Sequence, residues 1–188
     1  MINDGSLYLL VLLLIFPVFG AHAGEVQTTS VEYSEGVYSL ELDAIVLAEH
    51  ASVYKIVTDD NNLYRLSNVL IESTLLSDIN AQIKRRRLVT KTCILFFCFK
   101  TTLVEEVEEI DDTLIIATID ASQSDFEFGK TYWQITPEES GVTRIHYQSE
   151  IKPSFWIPPV IGPWVVKRKM LKEAMETIDQ LELLAHDD

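Results

Sequence analysis

Residues 163–185 read Pro163-Trp-Val-Val-Lys-Arg-Lys-Met-Leu-Lys-Glu-Ala-Met-Glu-Thr-Ile-Asp-Gln-Leu-Glu-Leu-Leu-Ala185, and the reading of this stretch decides the fold. Trp164, Leu171, Ala174, Met175, Ile178, Leu181 and Ala185 recur at three- and four-residue steps, which is the spacing of one buried helical face. Lys167, Arg168, Lys172, Glu173, Glu176 and Asp179 fill the other faces. Pro163 suits a first helical turn, where the N–H it lacks would have no intrahelical partner. Upstream, Phe126 and Phe128, and then Val142 with Ile145, Tyr147, Ser149 and Ile151, give period-two patterns for two strands joined by a turn over residues 137–141.

Working outward, Leu40, Leu42, Ala44 and Val46 alternate with Ser39, Glu41 and Asp43, which predicts a half-buried strand over residues 37–47. Residues 50–58 suit a short helix that Asp59-Asp60-Asn61-Asn62 stops, and residues 63–66 a second. Further strands are predicted over 69–76, 81–92, 99–107, 114–119, 125–135 and 142–151, with Gly129 as the site of a sheet-bending bulge. Residues 25–35 are polar and read as an extended lead-in, ended by a turn at Ser34-Glu35-Gly36. The expected fold is therefore α+β. A curved antiparallel sheet of about seven strands wraps around one long C-terminal helix, with one or two short helices after the first strand.

The chain is 188 residues long and 47% hydrophobic, which suits one domain with an ample core. Residues 8–19 form an apolar run too short to span a membrane comfortably, and Ala21-His22-Ala23 follows it as a small-residue cleavage signal. The predicted organisation is a signal peptide over 1–23 cut after Ala23, an extended segment over 24–36, and a single domain over 37–185. That places the mature chain in the periplasm or outside the cell. An n-region with Asp4 and no Lys or Arg departs from the usual signal pattern and leaves an uncleaved anchor as the alternative.

A formal net charge of −14 argues against a nucleic-acid partner, which needs a basic face to displace counterions. Lys84-Arg85-Arg86-Arg87 and Lys167-Arg168-Lys169 are local basic runs, and residues 105–112 hold six acids in eight positions. Such runs read first as solvated faces; the basic ones could also meet anionic headgroups.

Gly129-Lys-Thr-Tyr-Trp-Gln-Ile-Thr-Pro137, then Gly141-Val-Thr-Arg-Ile-His-Tyr147, a Pro-rich loop and a terminal helix resemble the end of a START-like helix-grip domain of the polyketide cyclase/dehydrase and lipid-transport family. Thr58-Asp59, Leu63, Arg65-Leu66 and Asn68 resemble the segment after that family's first short helix. The resemblance implies an internal apolar site for a hydrophobic small molecule or lipid, bound without being transformed. Phe126, Phe128, Trp133, Tyr147, Leu171, Met175 and Ile178 are the candidate lining, each also readable as ordinary core, and Trp156 and Trp164 of the loop before the helix are further candidate ligand contacts. A cyclase- or dehydrase-type enzyme is the rival, and it would need an acid or base pointing into the cavity. A protein or membrane interaction module without a ligand is the other. A monomer is expected.

Cys93 and Cys98 stand at a hairpin tip, where a C-x4-C spacing allows a disulfide. Two separate buried thiols are the alternative. The four His at 22, 50, 146 and 186 are scattered, so neither a metal site nor a cofactor site is predicted. His146 shares the wet strand face of Arg144, Gln148 and Glu150 and is a poor candidate base, so no catalytic residue is assigned. Phe155-Trp-Ile-Pro-Pro-Val-Ile-Gly-Pro-Trp164 is apolar and cannot join a ladder. It is expected to pack over the mouth of the site as a lid; the alternative is a peripheral membrane contact through Trp156 and Lys167.

Overall fold

The alternation that predicts strands is realised as one antiparallel sheet. A computed structural model describes residues 25–80, 82–94, 97–158 and 162–187, so the proposed signal peptide lies outside the described residues. The strands are β1 (Glu25–Ser34), β2 (Val37–Val46), β3 (Leu70–Asp78), β4 (Ile83–Ile94), β5 (Phe97–Glu109), β6 (Leu114–Ile119), β7 (Phe126–Pro137) and β8 (Thr143–Pro153). All eight belong to one sheet, in the order β1-β2-β8-β7-β6-β5-β4-β3. Because β2 lies beside β8, the chain must cross to the far edge to begin β3. Helix α1 (His50–Val57) and the 3-10 turn Leu63–Leu66 make that crossing, and helix α2 (Gly162–Asp187) closes the chain. This is the helix-grip arrangement.

The strand not anticipated is β1. Only Val31 in it is buried, so it shows no clean alternation, as suits an edge strand with wet side chains. Its turn into β2 was legible: Glu35 and Gly36 both take positive φ, the requirement of a two-residue hairpin turn matched to sheet twist. Tyr33 and Tyr38 then meet across the pair, with ring centroids 4.7 Å apart.

The core lies between α1, the 3-10 turn, the C-terminal half of α2 and one end of the sheet. Leu42, Ala44 and Val46 of β2, Val53 and Ile56 of α1, Val107, Ile115, Ile135 and Ile145 of the sheet, and Ile178 and Leu181 of α2 are all buried there. Glu182 is buried with them, and its carboxylate accepts the Leu47 N–H just past the end of β2 at 2.8 Å.

Two expectations about β7 are corrected. The bulge lies between Phe126 and Phe128, ahead of Gly129. It breaks the period of two, so Phe126 is buried while Phe128 turns to solvent. Gly129 answers to close approach instead: a Cβ there would stand 2.2 Å from Ile119 Cδ1. The β4–β5 hairpin is also longer than predicted, and Cys93 and Cys98 face each other in it, exposed and joined by a disulfide with a Cα–Cα distance of 4.0 Å. Among the described residues no helix is long and apolar enough to cross a membrane.

Candidate functional site

Four consecutive basic residues in a strand must alternate faces, and Lys84-Arg85-Arg86-Arg87 therefore cannot all be solvated. Arg85 and Arg87 point outward and pair with Asp120 and Glu72. Arg86 points inward. It is 6% exposed, its Nε donates to Glu105 Oε1 at 2.7 Å, and its Nη1 donates to Asp60 Oδ1 at 3.0 Å. Glu105 is its register partner on β5, whereas Asp60 arrives from the loop after α1, anchored by the Ser73 hydroxyl bonding to the Asp60 carbonyl.

The network continues along the same face. Lys84 Nζ lies 3.7 Å from Asp60 and 2.6 Å from Glu109, and the Tyr54 hydroxyl donates to Glu109 Oε2 at 2.8 Å. Burial would lower the pKa values of Lys84 and Arg86, but the facing carboxylates outweigh it and hold both above their ordinary values. Burial first, then the bond and charge of Glu109, push Tyr54 far above a tyrosine's ordinary value of about 10.

A tyrosine that holds its proton more tightly when folded stabilises the native state below pH ~10, and that contribution is lost as pH rises from there towards the folded value. Burial also raises Tyr38 and Tyr147. Stability is therefore expected to fall with pH above about 10, and Tyr54→Phe should flatten the fall in a series of denaturant titrations.

Beside Arg86 and Glu105, the inner face carries an aromatic and hydroxyl group. Trp133 and Tyr147 meet edge to face with centroids 4.7 Å apart. On the same face as Tyr147, the Thr131 and Ser149 hydroxyls lie 3.0 Å apart. Trp133, Tyr147, Leu88 and Leu103 are only half-buried, so this part of the inner face is not closed over.

Helix α2 shows the complementary gradient. Ile178 is 1% exposed, but the same helical face, followed back through Met175 and Leu171 to Trp164, is more open. Leu171 is half-buried, Met175 is 49% exposed and Trp164 63%. The predicted stripe is thus buried only in its C-terminal half. Toward its N-terminus the helix leaves more of this face in water, and Leu171, with the half-buried strip of the inner sheet face, is the candidate lining.

The predicted site residues separate accordingly. Trp133, Tyr147 and Leu171 are half-buried, whereas Ile178 is solid core. Phe126 is buried at the sheet's end, its ring 6.0 Å from that of Phe155. Phe128 and Met175 are corrected from lining to half-exposed surface. Trp156 is 78% exposed, and Trp164 carries the Arg168 guanidinium 5.7 Å over its ring, so neither packs inward as a lid would. Arg86, Glu105, Thr131 and Ser149 were missed as site residues, although strict alternation through residues 84–87 and 105–109 signals the first two. A depression of about 380 Å³ lies on the other face of the sheet, lined by Glu32, Glu41, Glu150 and Lys130 among others, and its charge suits no apolar ligand. His146 is on that outer face, 3.6 Å from Asp43.

A family profile described as polyketide cyclase/dehydrase and lipid transport matches residues 38–185. The chain belongs to this family. A START superfamily protein from Mycobacterium smegmatis superposes with a TM-score of 0.63 at 16% identity, covering 79% of this chain and 97% of that one. An aromatase/cyclase from Streptomyces gives 0.59 at 9% identity, covering 80% and 93%. A STAR-related lipid transfer protein fragment from Xanthomonas axonopodis gives 0.58 at 15% identity, covering 84% and 98%. At these identities the likeness is one of fold. Comparison with curated protein sequences finds no match.

Proposed function

We propose that this polyketide cyclase/dehydrase and lipid-transport family member is an exported, monomeric protein that binds a hydrophobic small molecule or lipid in the cleft between α2 and the inner sheet face, and releases it unchanged. The observation that carries this is the paired exposure of Trp133, Tyr147, Leu88 and Leu103 on the sheet and Leu171 on the helix, all apolar or aromatic and none fully covered. An apolar ligand entering there leaves water, at a gain of roughly 25 cal/mol for each Å² it buries. The hydroxyls of Tyr147, Ser149 and Thr131, with Arg86 and Glu105 behind them, would receive a polar end and set its orientation. The chain would meet the membrane from which it loads through Trp156 and Lys167.

The inward Arg86 and Glu105 are what a cyclase-type enzyme would need, and they favour that as the second reading. Against it, the Arg86 guanidinium is already committed to two carboxylates, Glu105 and Asp60. An environment-sensitive apolar dye should bind the folded protein saturably, long-chain lipids should displace it, and Leu171→Glu should weaken binding about tenfold or more by placing a charge in the cleft. Recovery of a chemically altered lipid after incubation would favour the enzyme, and the absence of saturable binding would contradict both readings. The exported chain should begin at Gly24 by N-terminal sequencing; a chain retaining Met1 would contradict cleavage.

A further inference from the structure

Beyond Thr102, β4 and β5 leave the sheet. The last pairing of β5 with β6 is Glu105 with Ile119, and the last hydrogen bond of β4 toward the β3 side is Lys91 N–H to the Val69 carbonyl. Past Lys91, residues 92–94 and 97–99 therefore pair only with each other, as the end of a two-stranded arm reaching on the order of 10 Å past its neighbours. A lone two-stranded ribbon is marginal in water, and the Cys93–Cys98 disulfide closes this one.

The composition of the arm is not that of a solubilising hairpin. Phe99 is 50% exposed, and Lys91 and Lys100 are exposed directly opposite each other. Like charges at a register pair repel, and no ion pair relieves them among the described residues. A net charge of −14 leaves this chain no shortage of carboxylates, yet none has been placed here.

The arm is also on the same end of the sheet as the exposed tryptophan. The Asp125 carboxylate accepts the Thr102 N–H at 2.7 Å, and the Asp125 carbonyl accepts the Ser154 N–H at 3.1 Å. Phe155 and Trp156 follow directly, so the root of the arm and the loop before α2 are tied to one residue. Trp164 with Arg168 opens α2 just after. Exposed aromatic side chains at the same end of the sheet as the facing lysines fit the headgroup region of a bilayer, where Trp is favoured and anionic lipid would neutralise Lys91 and Lys100.

We propose that this disulfide-closed arm is a membrane-docking element, and that it seats the mouth of the cleft on an anionic lipid bilayer alongside Trp156. The proposal rests on the membrane contact stated above and adds a second element to it. Co-flotation with phosphatidylcholine vesicles containing or lacking about one-third phosphatidylglycerol tests it. Wild type should bind the anionic vesicles preferentially and release with added salt. Lys91→Glu/Lys100→Glu and Phe99→Ser should each weaken binding about tenfold or more, with melting temperature and dye binding unchanged, while Lys130→Glu on the outer face should bind as wild type. If only Trp156→Ala weakens binding, the arm is overturned and the loop contact stands. If wild type binds no vesicle, or binds both kinds alike, docking on anionic lipid is overturned while the dye assay still judges the ligand site.

Discussion

Arg86→Met is expected to destabilise the fold by about 3–5 kcal/mol, because it strands Asp60 and Glu105 as buried carboxylates without their shared cation. The methionine fills much of the same volume, so the loss belongs to stranded charge. Adding Asp60→Asn and Glu105→Gln should recover at least half of it in urea titrations, since replacing all the charges of a buried network costs far less than removing one. A single Arg86→Met with a wild-type midpoint would mean that water reaches the triad freely.

Ile178→Asp is expected to unfold the domain or remove several kcal/mol of stability. It would put an unpaired charge where a residue 1% exposed packs against the sheet and α1. Met175→Asp, one turn back on the same helical face, should cost no more than about 1 kcal/mol, because half of that side chain is already in water. The contrast is the useful part. Equal damage from both would mean that α2 is closed on the sheet along its whole length, with no cleft at its N-terminal half.

Much of the fold was legible because period is a strong signal over long elements. Leu40 to Val46 and the steps through Ile178 and Leu181 could face only one way. β1 escaped because an edge strand needs hydrogen bonds more than it needs a buried face, and only Val31 carries an inward signal. Phe128 was misplaced because one bulge reverses every side chain before it relative to those after, and no residue type marks its position.

The site was less legible, for a different reason. Periodicity says which residues share a face but not how far apart two faces stand, so Met175, Leu171 and Ile178 look equivalent in the sequence and differ widely in exposure. Arg86 and Glu105 were hidden by their neighbours: each lies in a run of like charges that reads as solvent-facing until alternation is applied residue by residue. Trp156 was expected to cover its own domain, but the loop leaves it in water.

The central claim is that the cleft under the N-terminal half of α2 holds a hydrophobic ligand, and native mass spectrometry of the protein purified from its own host tests it most directly. A stoichiometric adduct of lipid-like mass is expected, released unchanged on denaturation and lost in Leu171→Glu. A bare polypeptide mass for folded wild type, or an adduct that Leu171→Glu retains in full, would contradict it.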